Sequence, residues 1–238
     1  MGLAVRIIPT LLARGSKLVK GRRFSADRVV GHVQQAARVH QARGVDELCI
    51  LDVAATPEGR GPDFAAIEAL TAECFMPLTV GGGVRSVEDV AGLLRAGADR
   101  VVIKTAYQEN FDFLDACAYR FGSQAIVVAL DVKEENKGPI VLALAQDIER
   151  RGAGEILLTA MDREGTMEGY DLDLINAVAN AVDIPVIAHG GCSGPEDMMA
   201  AYGHGASAVA AGALFLFTEH TPRSCALYMD EHGIEVRL

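Results

Sequence analysis

Hydrophobic residues along this chain follow two alternating rhythms. Short, nearly continuous β-branched runs read as buried strands at Arg6–Leu11, Glu47–Asp52, Pro77–Val80, Arg100–Ile103, Ala125–Leu130, Glu155–Thr159, Pro185–Ala188 and Ala208–Ala211. Between them the apolar spacing lengthens to that of amphipathic helices, most clearly over Val29–Arg43, Asp63–Ala72, Val87–Ala96 and Leu172–Ala181. Strands with no polar alternation are buried on both faces, and helices between them make the sheet parallel. Eight such units in 238 residues predict a closed (β/α)8 barrel, an α/β fold, rather than an open doubly wound sheet.

The chain also repeats itself. Gly44-Val45-Asp46-Glu47-Leu48 matches Gly152-Ala153-Gly154-Glu155-Ile156, and Pro77–Gly83 matches Pro185–Gly191. Glu88-Asp89 matches Glu196-Asp197, and Ala98–Val101 matches Ala206–Val209, all at a constant offset of 108 residues. Only the first strands pair at 119, Arg6–Leu12 against Ala125–Asp131, so the first half carries about eleven extra residues early on. The reading is one domain over 1–238, built from two half-barrels at about 1–121 and 122–238, with no linker or low-complexity stretch.

Composition narrows the function classes. Half of the residues are hydrophobic, enough for a large core, and the net charge is −10. An acidic chain lacks the basic face that nucleic acid needs, so no nucleic-acid partner is expected. No apolar run approaches the roughly 18–20 residues of a membrane span, and the start of the chain has no signal-peptide pattern. A cytoplasmic protein without membrane contact is the expectation. The five cysteines, Cys49, Cys74, Cys117, Cys192 and Cys225, are scattered and read as reduced thiols, with Cys192 alone lying beside a candidate site.

In a barrel of this kind the chemistry sits at the C-terminal ends of the strands. Gly81-Gly82-Gly83 follows the third predicted strand, with Ser86 placed to cap the next helix, and Gly190-Gly191 with Ser193 follows the seventh. Glycines let a backbone approach an anion closely, and a helix start adds free N–H groups. The neighbouring strands end in Lys104-Thr105 and Ala211-Gly212. Tight turns alone would explain one such cluster; two at matching positions predict two phosphate grips and a long substrate with phosphate at both ends. Asp131 ends the fifth strand, where an acid is costly to bury without purpose, and is the candidate general acid/base. Lys20, in the first loop, either reaches over the site or is an ordinary surface lysine. His189 either titrates near neutral pH at the site or packs structurally. Asp52, Thr159, Asp162 and Thr166 also lie at or near strand ends. No metal spacing, G-x-S-x-G or Walker sequence is present, so no metal or nucleotide cofactor is expected.

Several words of the sequence resemble the HisF family, the cyclase subunit of imidazole glycerol phosphate synthase. They are Arg6-Ile7-Ile8, Leu18-Val19-Lys20-Gly21, Asp46-Glu47-Leu48, Val80–Gly83, Phe121–Ala125, Gly152–Thr159, Asp162–Thr166 and Gly169-Tyr170-Asp171, and together they span the chain. The resemblance implies a half-duplicated barrel whose N-terminal face docks a glutaminase subunit of HisH type. Ammonia would cross the barrel and attack a bisphosphate, giving imidazole glycerol phosphate and an aminoimidazole carboxamide ribotide. It also implies a channel gate at Arg6, Glu47, Arg100 and Glu155, and Asp131 as one of two catalytic aspartates. The candidate substrate contacts are Gly82, Gly83, Lys104, Thr105, Thr159, Gly165, Gly190, Gly191, Ala211 and Gly212, and the candidate catalytic residues are Asp131, Lys20 and His189.

Three departures stand out. The family's first catalytic aspartate is Leu12 here, its asparagine after the fourth strand is Lys104, and the loop from Val132 to Pro139 is shorter by about a dozen residues. The opening Ile-Ile-Pro-x-Leu-Leu and the stretch Ser207–Phe215 resemble a paralogous branch that, with a glutaminase, turns an acetamido sugar of a surface polysaccharide into an acetamidino sugar. Four functions are therefore open: that amidine-forming synthase, a divergent histidine-pathway cyclase in which His189 or Lys104 covers for the missing aspartate, a non-catalytic phosphate-binding barrel that activates its glutaminase, and, last, a sugar-phosphate isomerase of the same half-barrel type, which would also want the first aspartate and would not need the gate.

Overall fold

The computed structural model describes residues 4–25 and 28–237. Eight parallel strands form the wall: β1 (Arg6–Arg14), β4 (Leu48–Asp52), β5 (Leu78–Gly81), β6 (Arg100–Ile103), β7 (Ile126–Val132), β8 (Glu155–Ala160), β9 (Val186–His189) and β10 (Ala208–Ala211). Each coincides with a strand expected from the hydrophobic pattern. The sheet closes where β1 pairs in parallel with β10, in the register Arg6↔Ala208 through Pro9↔Ala211. Helices α1 (Val33–Ala42), α2 (Phe64–Thr71), α3 (Val87–Arg95), α5 (Asp112–Phe121), α6 (Pro139–Arg150), α7 (Leu172–Ala179), α8 (Pro195–Gly203) and α10 (Pro222–Glu231) surround it. The two short helices α4 (Thr105–Glu109) and α9 (Ala213–Phe217) follow β6 and β10 directly.

The beginning of the chain differs from expectation. Val29–Arg43 is not one helix: Arg28–His32 forms β3, which pairs antiparallel with β2 (Lys17–Lys20), itself paired antiparallel with β1. β-branched Val29 and Val30 followed by Gly31 favour extended backbone, and the helix begins only after them. Lys20 thus ends a strand rather than lying in a loose loop. No helix among the described residues is long and apolar enough to cross a membrane.

Side chains alternate across each wall strand. Ile7, Leu11 and Ala13 of β1 join the outer core beneath the helices, whereas Ile8 joins an inner cluster with Cys49, Val102, Val127, Leu157, Ile187, Ala208 and Ala210. That inner cluster fills the barrel. Continuing the same parity upward brings Leu12, Gly81, Lys104, Asp131, Thr159, His189 and Gly212 to the C-terminal mouth, and downward it brings Arg6, Glu47, Arg100 and Glu155 to the floor.

The glycine turns are fixed by sterics. Gly190 and Gly191 have φ of +95° and +104°, and a Cβ on Gly191 would stand 2.1 Å from the Gly169 carbonyl oxygen. Gly15 has φ +58° but open space around it. Gly191→Ala is expected to cost about 2–4 kcal/mol, lowering Tm by roughly 5–12 °C, whereas Gly15→Ala pays only the left-handed penalty of about 1 kcal/mol. Thermal denaturation of the two variants checks this; equal Tm values would contradict the steric account.

Candidate active site

The first glycine turn follows β5. Gly82 and Gly83 have φ of +113° and +72°, and a Cβ on Gly82 would meet the Asp52 carbonyl oxygen at 2.3 Å. Ser86 caps α3 in a reciprocal box with Asp89, as its position suggested. Next to this turn, Lys104 is the N-cap of α4 and Thr105 its first residue, so the first-turn N–H groups of α4 open beside the glycines. The second turn, Gly190-Gly191, has Ala211 and the α9 N-cap Gly212 beside it. Its helix starts differently: Ser193 does not cap α8 but donates through its N–H and hydroxyl to Asp197, and Gly194-Pro195 begin the helix.

The second turn is filled by the chain itself. Lys20 and Glu164 form a buried ion pair there, each side chain 2% exposed. The Lys20 Nζ lies 3.2 Å from where a Cβ on Gly212 would stand. Only about 10 Å³ remains, lined by Lys20, Glu164, Gly165, Gly190, Gly191 and Gly212 among others, roughly the room one water needs. Burial pulls the Lys20 ammonium down to about 8, which leaves it charged at neutral pH. The Oε2 of Glu164 is buried without a partner. Backbone contacts fasten the two loops together: Arg23 N–H donates to the Glu164 carbonyl at 2.7 Å, and a Cβ on Gly165 would stand 2.1 Å from the Gly21 carbonyl oxygen. The surface-lysine reading of Lys20 therefore falls. Glu164, its partner from 144 residues away, was missed as a site residue; the signal was a lysine in an apolar strand, which requires a counter-charge.

His189 does not titrate near neutrality. Burial, reinforced by the charge of Lys20, holds its pKa down to about 3, so its ring is neutral. Its Nδ1 lies 3.2 Å from the Thr159 hydroxyl, which makes both parts of one buried contact. The alternative of structural packing is the one the geometry fits. Cys192 is buried, and desolvation pushes its thiol up to about 12, so it is no ready nucleophile.

The remaining candidates divide sharply. Asp52 accepts the N–H groups of Ala54 and Ala55 and faces Arg60 at 3.2 Å; Asp162 accepts the Glu134 N–H; the Thr166 hydroxyl donates to the Arg163 carbonyl. These bonds hold loops in place. Asp131 instead faces the mouth, with its Oδ2 2.5 Å from the Lys104 Nζ. That ammonium also lies 5.2 Å from the centroid of Phe24, a residue strained into positive φ at +64° and not foreseen as part of the site. Leu12, 8% exposed, is the last buried residue of the inward row of β1, diametrically across the ring from β7.

At the opposite end, Arg6 bridges Glu47 at 2.9 Å and Glu155 at 2.8 Å, and Arg100 reaches Glu47 at 2.7 Å. The Thr79 hydroxyl also donates to Glu47. Burial works to lower the Arg6 pKa, but Glu155 and Glu47 outweigh it and keep the guanidinium charged. The ring is closed on three sides; Glu155 Oε2 is buried without a partner on the fourth. A larger cavity, about 460 Å³, lies outside the wall between α1 and α2 and touches the mouth only near Gly81-Gly82.

Comparison with known proteins gives the same picture over the whole chain. A family described as "Histidine biosynthesis protein" matches residues 6–221. A Campylobacter jejuni protein, provisionally named imidazole glycerol phosphate synthase subunit hisF2, is 42% identical over 249 residues, covering 99% of both chains. Imidazole glycerol phosphate synthase subunits HisF from Dictyoglomus thermophilum and Hyphomonas neptunium are 42% and 43% identical, again over 99% of both chains. Similarity of that extent, on a closed parallel barrel with paired glycine turns at its mouth, establishes that this chain belongs to the HisF family.

Proposed function

We propose that this chain is the ammonia-accepting synthase subunit of a glutaminase-coupled complex, and that it forms an amidine on a phosphate-bearing acetamido sugar, of the kind used in surface polysaccharides, rather than closing an imidazole ring. The observation that carries this reading is the mouth itself: one carboxylate, Asp131, in contact with one ammonium, Lys104, and a leucine on the wall opposite. Ring closure on a bisphosphate calls for one group that removes protons and another that donates them from separate sides of the substrate. Leu12 can do neither. In amidine formation both proton transfers occur at one carbon, where ammonia arrives and oxygen departs, and an adjacent acid and base on one wall suit it.

The two glycine turns are the proposed phosphate contacts, Gly82 and Gly83 with Thr105 on one side, Gly190, Gly191 and Gly165 with Ala211 and Gly212 on the other. Two features support a docked glutaminase on the N-terminal face. Arg6, Glu47, Arg100 and Glu155 form a charged floor beneath an apolar lumen, the arrangement a gate for a small neutral molecule would need. At the same end of the barrel, Phe75, in the loop before β5, is 84% exposed, an anchor of the type that protein interfaces bury.

The second reading is the histidine-pathway cyclase, favoured by relatives named HisF at 42–43% identity. A steady-state assay with ammonium salt and the histidine-pathway bisphosphate separates the two. The unmodified chain is expected to run at least about a hundredfold below a HisF enzyme that has aspartate at this position, the range one positioned acid/base group contributes. Leu12→Asp should recover part of the deficit. A wild-type rate equal to that enzyme's would overturn the amidine reading.

The gate generates a separate expectation. Arg100→Glu places two carboxylates against each other at the floor, so glutamine-dependent turnover of the complex should fall about tenfold or more, while ammonium-dependent turnover, which bypasses the floor, changes by less than about twofold. Parallel assays with glutamine and with ammonium chloride measure it, and equal losses in both would remove the gate role.

A further inference from the structure

The two lysines at the mouth are in opposite conditions. Lys20 is sealed with Glu164, both side chains 2% exposed. Lys104 is 37% exposed, while its partner Asp131 is 8% exposed. The Lys104 ammonium is therefore the member of the pair that an incoming acceptor can reach. It is also held in place, 2.5 Å from Asp131 Oδ2 on one side and 5.2 Å from the Phe24 ring centroid on another. Among the described residues, His189 is buried against Thr159, and Glu164 is paired with Lys20.

We propose that Lys104 is a catalytic proton donor, and that it selects an acceptor whose reacting group is an uncharged carbonyl and turns away one whose reacting group is a cation. The proposal rests on the ammonia-accepting reading above and goes further, to the charge class of the acceptor. Ammonia forms a bond to the carbonyl carbon, and the C=O π pair moves onto oxygen. Lys104 gives that oxygen a proton and Asp131 takes one from the new nitrogen. The pair then holds a neutral amine beside a carboxylic acid at hydrogen-bond distance, and the proton passes directly back from Asp131 to Lys104. In a second round Lys104 protonates the hydroxyl, which leaves as water, while Asp131 takes the second nitrogen proton and the C=N bond closes. The second proton then returns from Asp131 to Lys104 as the first did; amide plus ammonia gives amidine plus water, and the pair ends as it began.

The same ammonium sets the specificity. A carbonyl oxygen gains from a donor aimed at the charge it develops, a stabilisation that grows toward the transition state. A substrate ammonium at that place meets a like charge in a partly desolvated pocket, which suppresses binding. Leu12 on the far wall offers such a cation no compensating carboxylate.

Two probes that share ring and phosphate but differ at this group test the idea: N-acetylglucosamine 6-phosphate, a neutral amide, and glucosamine 6-phosphate, an ammonium. Calorimetric titration of the full chain should show the amide form binding at least about tenfold more tightly. In the double variant Leu12→Asp/Lys104→Asn, which removes the ammonium and supplies a carboxylate, the preference should vanish or reverse. Lys104→Arg should keep the preference, because its charge stays, yet lose ammonium-dependent product formation, because a guanidinium does not give up its proton. An amine form bound as well as the amide by the wild-type chain, a preference unchanged in the double variant, or full turnover by Lys104→Arg would each overturn the role of Lys104 while leaving the synthase reading standing. Binding of neither sugar phosphate would instead remove the amino-sugar reading, and this inference with it.

Discussion

Closure of the sheet is the constraint on which everything else depends. Once β1 pairs with β10 in the register Arg6↔Ala208, the parity of every wall strand is set, because successive side chains in a strand point to opposite faces. The inward row of β1 then carries a charge at the floor, Ile8 in the apolar middle, and Leu12 at the mouth. A slip of β1 by one residue would send Arg6 into the apolar layer beneath the helices, away from Glu47 and Glu155, and bring outer-core residues such as Ile7 and Leu11 into the lumen. Such a slip would strip buried ions of their partners, a penalty of several kcal/mol for each. Floor, lumen and mouth are thus three levels of one register, not three separate sites.

Charge is distributed accordingly. The chain is acidic as a whole, at −10, yet the carboxylates deepest in the barrel are matched by cations: Glu47 by Arg6 and Arg100, Glu155 by Arg6, Asp131 by Lys104 and Glu164 by Lys20. Removing one partner of such a pair leaves an uncompensated ion in a poorly solvated place, which is worse than never having had the pair. Leucine opposite an ion-paired aspartate is consistent with this economy, since a second free carboxylate at the mouth would itself need a counter-charge.

Much of this was legible in the sequence, and the reasons are physical. Strands such as Arg100–Ile103 and Ala208–Ala211 are β-branched or small runs too short to be helices, and their positions follow from composition alone. The glycine turns were legible because Gly190-Gly191 repeats Gly82-Gly83, and positive φ with close backbone contact is what glycine permits. Val29–His32 was not, because a short β-branched run joined to a helical pattern is ambiguous without its pairing partner, here β2 at Lys17–Lys20. Contacts between distant loops were the least accessible. Lys20 meets Glu164, and Lys104 lies over the Phe24 ring, only because the barrel brings strand ends far apart in the chain around to the same mouth. The neutral state of His189 is likewise a property of its burial and of nearby Lys20, neither of which periodicity reveals.

The seal between the first loop and the loop after β8 makes the two ends of the mouth unequal. At the Gly82-Gly83 end, the nearest cation, Lys104, already stands in partial contact with solvent. At the Gly190-Gly191 end, an incoming anion must part Lys20 from Glu164, take over the lysine, and displace a carboxylate from a space of about 10 Å³. It must also loosen the Arg23-to-Glu164 backbone bond that closes the seam. A ligand with anions at both ends, bound as proposed above, would therefore be tethered at the exposed end first and seated at the sealed end second.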